Sequence, residues 1–505
     1  MRDRHSKRTP VDAPIPHPAA RRLSRRTFLQ ASGSLLAGGA AAPLLPHSTS
    51  AREPAMQDAD TELRRLQEQR RILIRGGIVL TLDPAVGDFE QADVLIEDGK
   101  IQEVRPNLTV ASDAAAVIDA THMIVLPGFI DTHHHCYQGL LRNILPDGIL
   151  ADYFRDIIDT LTPAYQPRDA YAGMLVSALG ALDLGITTVV DTSQVAHTPE
   201  HTDACIQALQ EAGIRAVFAY SRGAGPGTQH PHDLRRLKTQ FFASEDQLLT
   251  LALQAGMTNT QFWPLARELG VPIVEHVVGS TAPVSATIVA LAQAGQLGPD
   301  VEFIHCTGLS EAAWRAIADH GVKISLAVPI EMAMRHGMPP IQQALDHGIR
   351  PSLSSDVDTN LTPDPFTQMR TVFTLQRALL NERALQGEEN LPPLLTVREV
   401  LEFATLEGAR CAHLEHKVGT LTPGKEADIV LLRADRLHVW PLNNAPGAVV
   451  TLMNPSNVDT VLVAGKVKKW RGNLVGVDIP RVLRLVEEAR DGVLRRAGFP
   501  LRLLG

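Results

Sequence analysis

The chain has 505 residues, of which 44% are hydrophobic, 21% are charged, 37 are Gly and 34 are Pro; these proportions exclude a disordered, collagenous or coiled-coil protein. Lys plus Arg number 48 against 56 Asp plus Glu, a net charge of −8, and only 4% of residues are aromatic, so no basic face or stacking array is on offer for nucleic acid. The length suits two or three domains, or one large barrel with an appendage.

Residues 1–51 differ from everything after them. Eight of the basic residues sit there, opposed only by Asp3 and Asp12, and the run from Thr27 to Ala51 holds no charged side chain. Such a charge step marks a targeting segment. Ser24-Arg25-Arg26-Thr27-Phe28-Leu29 before a weakly apolar Gly/Ala-rich stretch resembles a twin-arginine export signal. That resemblance implies passage through the twin-arginine translocase and a periplasmic or extracellular location. A membrane anchor is the alternative, disfavoured because Gly33, Gly38, Gly39 and Pro43 interrupt a stretch barely reaching the ~20 apolar residues of a spanning helix.

From Ile72 to Ile118 short apolar runs alternate with turns, and Asp98-Gly99 between two of them predicts a hairpin. The same texture returns at Ala427–Leu432 and Val458–Val467. The two segments, 72–126 and 416–475, are expected to pair into one composite β-sandwich domain, followed by a helical segment over 476–505.

Between them, over 127–415, eight apolar strand-like runs alternate with helical stretches: Phe129–His133, Ile186–Asp191, Ala216–Tyr220, Leu248–Ala255, Ile273–Val278, Val301–Cys306, Val322–Val328 and Ile349–Ser354. Eight such units over this length predict an α/β fold, a (β/α)8 TIM barrel. A doubly wound sheet is the rival, but no Gly-rich phosphate turn follows the first strand. The four cysteines, Cys136, Cys205, Cys306 and Cys411, lie far apart and read as buried apolar residues.

Chemistry concentrates at the ends of these runs. In Pro127-Gly128-Phe129-Ile130-Asp131-Thr132-His133-His134-His135 strand alternation puts His133 and His135 on one side and His134 on the other. Two imidazoles on one face at a strand's C-terminal end can share a metal ion. His276, His305 and Asp356 follow other apolar runs, at the barrel face where active sites form. His276 and His305 each alone also read as a satisfied core histidine; the convergence of three imidazoles and a carboxylate is what points to a site.

These motifs, with Thr187–Asp191, Ala404-Thr405, Gly408-Ala409-Arg410 and Gly419–Asp428, resemble the amidohydrolase superfamily, in particular its branch of cytosine deaminase, guanine deaminase and the triazine chlorohydrolases. The resemblance spans residues 72–475. It implies one divalent metal ion, zinc first and iron(II) second, held by His133, His135, His276 and Asp356. Asp356 would also serve as base toward a water acidified by the metal, and His305 would steady the attacking oxygen. No lysine ends the Leu248–Ala255 run, so the binuclear branch has no carbamylated bridge here.

One departure stands out. The branch carries His-x-x-Glu after its fifth strand, and this chain has His276-Val277-Val278-Gly279. Glu331, Asp358 and Glu275 are the candidates to replace the missing acid, in that order, and Gln138 is a candidate for binding substrate. The expected activity is hydrolysis of a C–N bond in a small N-heterocyclic or cyclic-amide substrate. Aminohydrolysis or chlorohydrolysis of a purine, pyrimidine or triazine ring is the alternative, and an exported metal-binding protein without turnover a further one. No nucleic-acid partner or stable membrane anchor is expected, and a homo-oligomer is compatible with the sequence.

Overall fold

The computed structural model describes residues 61–111, 114–280 and 283–504, so the expected export signal over 1–51 lies outside the described residues. Eight parallel strands pair in chain order: β1 Phe129–His134, β2 Ile186–Ser193, β3 Arg215–Ser221, β4 Leu249–Gln254, β5 Ile273–Val278, β6 Val301–Thr307, β7 Lys323–Leu326 and β8 Ser352–Leu353. Each run predicted from apolar composition has its counterpart among them. Closure comes just beyond β8, where Asp356 bridges His134 in parallel register. There the Asp356 amide donates to the His133 carbonyl at 2.9 Å and the His135 amide to the Asp356 carbonyl at 2.8 Å. The fold is a TIM barrel.

Alternation along the strands sorts the side chains. Ile130, Val190, Val217, Ala219, Ala252, Val274 and Ile304 form one buried interior cluster, which continues into Ala409, Ala412, Leu414 and Val418. The opposite faces, with Phe129, Val189 and Phe218 among them, join the larger core beneath the surrounding helices. Strands covered on both sides have no solvent face, which is why these runs read as continuously apolar. Each large side chain buried in this way contributes about 1.5–3 kcal/mol.

The flanking segments meet in a second sheet. Ile429–Arg433 pairs antiparallel with Met123–Pro127, with Leu431 opposite Val125, and so joins the C-terminal strands to the N-terminal ones. The predicted hairpin connects Phe89–Glu97 to Lys100–Arg105, and Asp98 and Gly99 take φ of 49° and 81°, both in the left-handed region that a tight two-residue hairpin turn requires. A bidentate ion pair ties this sheet to the barrel floor: fully buried Arg215, at the start of β3, reaches both carboxylate oxygens of Asp428 at 2.9 Å. The helix Ile479–Ala497 opens on Asp478, whose side chain accepts the Arg481 amide at 2.9 Å, and closes at Gly498 with φ of 65°. Among the described residues no helix is long and apolar enough to cross a membrane.

Candidate metal centre

The end of β1 supplies two inward imidazoles and one outward. His133 Nε2 lies 3.1 Å from Asp356 Oδ1, and His135 Nε2 lies 3.4 Å from the same oxygen. His134 turns the other way, between Asp131 at 3.4 Å and Asp358 at 3.3 Å. Asp131 in turn accepts the Ser355 amide at 3.0 Å and the Ser355 hydroxyl, which tethers the chain immediately before Asp356. The motif around β1 therefore builds both the ligating face and the scaffold behind it.

His276, from β5, brings its Nε2 to 3.2 Å from His133 Nε2. His305, from β6, is re-aimed by an irregularity: His305 and Cys306 take φ of 72° and 53°, and the register with β5 slips between Val277 and Val278. Bulges of this kind redirect a side chain at a strand's exit. Asp356 itself sits at φ of 64°. Left-handed backbone at non-glycine residues is costly and gathers at functional sites, where the surroundings enforce it.

The proton positions favour ligation. His135 donates its Nδ1 proton to the Thr192 carbonyl at 2.9 Å, which leaves the Nε2 lone pair free. His133 Nδ1 is 3.1 Å from the Thr192 hydroxyl and His276 Nδ1 is 3.3 Å from the Gln254 amide. Burial depresses all three imidazoles, His135 to about 3 and His276 well below its ordinary value. Burial works against ionisation of Asp356, but the contact with His133 and the nearby His305 and His135 hold its carboxyl well below the usual range. The ligand atoms of His133, His135 and His276, and those of His133, His305 and Asp356, each cluster within 4.8 Å. Three neutral imidazoles and a carboxylate converging in one buried site fit a divalent ion such as zinc or iron(II).

Above this centre opens a cavity of about 370 Å³. One wall comes from the π-helical segment Tyr153–Leu161, a rare geometry frequent at functional sites, which sets Tyr153, Phe154 and Ile158 against the cavity. Gln194, just past β2, and Gln254, at the end of β4, line it as well, together with His336. Sequence reading missed all three. The two glutamines stand at strand exits, the rule that found the histidines, and Gln254 occupies the strand end where a bridging lysine was sought.

Two expected roles are corrected. Glu331, expected as the replacement acid, lies in the short helix Val328–Ala333; fully buried, it accepts the Ala327 amide at 2.9 Å and the His305 Nδ1 proton at 3.2 Å. It stands behind His305 and is not among the residues that line the cavity described above. Gln138 is also fully buried and gives its amide to the hydroxyls of Tyr137 and Tyr153, at 3.0 and 2.6 Å, so Tyr153 presents the cavity wall in its place. The remaining acid candidates lie away from the cavity. Asp358 pairs with His134, Arg142 and Ser177, and Glu275 faces the outer layer, accepting the Trp263 indole at 2.9 Å.

A barrel with three histidines and an aspartate drawn together at the C-terminal ends of its strands presents a candidate metal site. Residues 124–468 match the model of the amidohydrolase family, and the chain belongs to that family. The 5'-deoxyadenosine deaminase of Methanosarcina barkeri is 26% identical over 445 residues, covering 84% of this chain and 99% of the relative. The 5-methylthioadenosine/S-adenosylhomocysteine deaminase of Desulforudis audaxviator is 28% identical over 451 residues, covering 83% and 97%. Among solved structures, an adenosine deaminase from Xanthomonas campestris with bound zinc superposes with a TM-score of 0.73 at 21% identity, covering 84% of this chain and 98% of that one. The atrazine chlorohydrolase of Arthrobacter aurescens complexed with zinc gives 0.70 at 22%, covering 83% and 100%; both share the fold.

Proposed function

We propose that the chain hydrolyses a C–N bond of a small N-heterocycle, removing an exocyclic amine from the ring, with one zinc or iron(II) ion held by His133, His135, His276 and Asp356. The observation that carries this reading is the convergence of those four side chains beneath a cavity of about 370 Å³. The names of the deaminase relatives favour ring deamination over opening of a cyclic amide. Gly279 favours the opposite, since the usual glutamate is missing.

A divalent ion in this site supplies the acidification of a water molecule, from a pKa of 15.7 toward about 7. The chain's own groups do the rest. Asp356 takes the proton of the attacking water and returns it to the leaving nitrogen. His305, 3.8 Å from Asp356 Oδ2, is held through its Nδ1 by Glu331, so its Nε2 faces the developing oxyanion. Glu331 acts through His305 and is a positioning residue.

The test is ammonia release by zinc-loaded protein across amino-substituted purines, pyrimidines and triazines, with ring opening of cyclic amides followed separately by appearance of the free carboxylate, and Asp356→Asn as control. The variant is expected to lose about a thousandfold or more, since base and ligand go together. Near-normal turnover by Asp356→Asn would refute the assignment.

We also propose export by the twin-arginine translocase to the periplasm or beyond, on the strength of Arg25-Arg26 ahead of Phe28-Leu29 and the uncharged run that follows. Replacing Arg25 and Arg26 by Lys should strand the protein in the cytoplasm. Undiminished export of that variant would contradict the pathway.

A further inference from the structure

The cavity over the centre has an unusual balance of groups. Among the described residues that line it there is no Lys, Arg or Glu, and Asp356 is its only aspartate. Its walls are largely apolar, from Leu150, Phe154, Ile158, Met257 and Met334. Arg335, between the lining residues Met334 and His336, is exposed and off the wall. A charged group brought in here would shed its water and meet no counter-charge beyond the centre itself, which is costly.

Two polar groups on the wall lack partners. Gln194 Oε1 has none, and His336, only 3% exposed, has none at either ring nitrogen. Native proteins seldom leave buried polar atoms unpaired, and those that remain call for an explanation. The His336 ring stands edge-on to His305, centroids 4.6 Å apart. Its backbone is fixed from behind, where its carbonyl accepts the Thr307 hydroxyl at 2.7 Å and that of Ser280. A neutral imidazole offers one donor and one acceptor, the complement of a heterocycle edge.

We propose that the substrate enters this cavity as an uncharged heterocycle, hydrogen-bonded at its edge by His336 and through a donor group to Gln194 Oε1. This rests on the deaminase reading and narrows it. His336 then supplies the ring contact for which Gly279 has no side chain. Phosphorylated or carboxylated versions of the same ring are excluded by the missing counter-charge, and the apolar walls grip an unionised body.

The experiment uses full-length, zinc-loaded protein and matched pairs: 5'-deoxyadenosine against adenosine 5'-monophosphate, and cytosine against cytosine-5-carboxylate, followed by ammonia release. The neutral member should be favoured at least 100-fold in kcat/KM. On that member, His336→Phe and Gln194→Leu should each raise KM at least tenfold with zinc content unchanged, and His336→Gln should restore part of the loss. Equal or better turnover of a charged member overturns the proposal, as do KM values within twofold of wild type in both His336→Phe and Gln194→Leu. If the wild type releases ammonia neither from these four nor from any other ring amine of the wider purine, pyrimidine and triazine panel, the deaminase reading itself falls, and this inference with it.

Discussion

Gly279 occupies the place where the resemblance calls for a glutamate, and restoring that residue is the sharpest test of how the site is built. A Cβ at 279 would lie 2.7 Å from the Thr307 carbonyl oxygen, 3.0 Å from Leu309 Cδ2 and 3.1 Å from the Gly308 carbonyl oxygen. Gly308 faces it at φ of 67°, and a Cβ there would lie 2.7 Å from the Ser280 amide nitrogen. The exits of β5 and β6 thus approach so closely that only glycine fits on either side. Gly279→Glu must push these backbones apart by several tenths of an ångström, an overpacking cost of about 1–3 kcal/mol. With about 2.1 cal/mol/K of unfolding entropy per residue over the 505 residues of the chain, the melting temperature should fall by about 1–3 °C. Thr307 also holds the His336 carbonyl, so the strain reaches the cavity wall and turnover should fall as well. Calorimetry and ammonia release on Gly279→Ala and Gly279→Glu measure both effects. An unshifted melting point together with faster turnover in Gly279→Glu would refute this account, because it would mean that the strand exits yield freely and leave room for an acid.

Glu331→Gln should lower kcat about 10- to 100-fold at unchanged zinc content, the usual effect of disturbing a group behind the chemistry. Since Glu331 raises the His305 pKa against the opposing effect of burial, the limb of the kcat/KM profile due to His305 should move to lower pH; an unmoved profile would remove Glu331 from the mechanism. Arg215→Met should destabilise the protein by about 3–5 kcal/mol, because it strands Asp428 in the interior, while kcat/KM measured well below the melting point stays within about twofold. Melting and kinetics on one preparation separate the two. For pH, burial holds His135 at about 3 and His133 and His276 below the ordinary value, so each takes up a proton only at lower pH than a free imidazole does. Zinc affinity should therefore drop far less than the tenfold per histidine expected of ordinary imidazoles at pKa 6.5, as calorimetric titration can show. The same shifts weaken the fold in acid: as pH falls below about 6.5 the unfolded chain binds protons that the folded one refuses, so stability declines.

Much of this protein is legible along the chain. Eight apolar runs with polar residues at their ends define the barrel and its working face, because strand periodicity and burial on both sides leave a mark in composition. His133 and His135 share a side because alternation requires it, and His134 is sent outward by the same rule. Asp98-Gly99 specifies its hairpin turn through backbone freedom alone. The family follows from those motifs, and Gly279 shows as a departure before any geometry is considered.

What a side chain meets is another matter. Glu331 stands close in sequence to a strand exit, yet a short helix turns it behind His305, and Gln138 is cut off from the cavity by Tyr153, fifteen residues away. The left-handed backbones of His305, Cys306 and Asp356 carry no local signature, since tertiary contacts on both sides enforce them. His336 belongs to no periodic pattern and reaches the cavity through the path of its loop. Periodicity thus settles which way residues point within an element, whereas their partners across the molecule depend on how separate elements pack, and packing between distant segments leaves no local pattern in the chain.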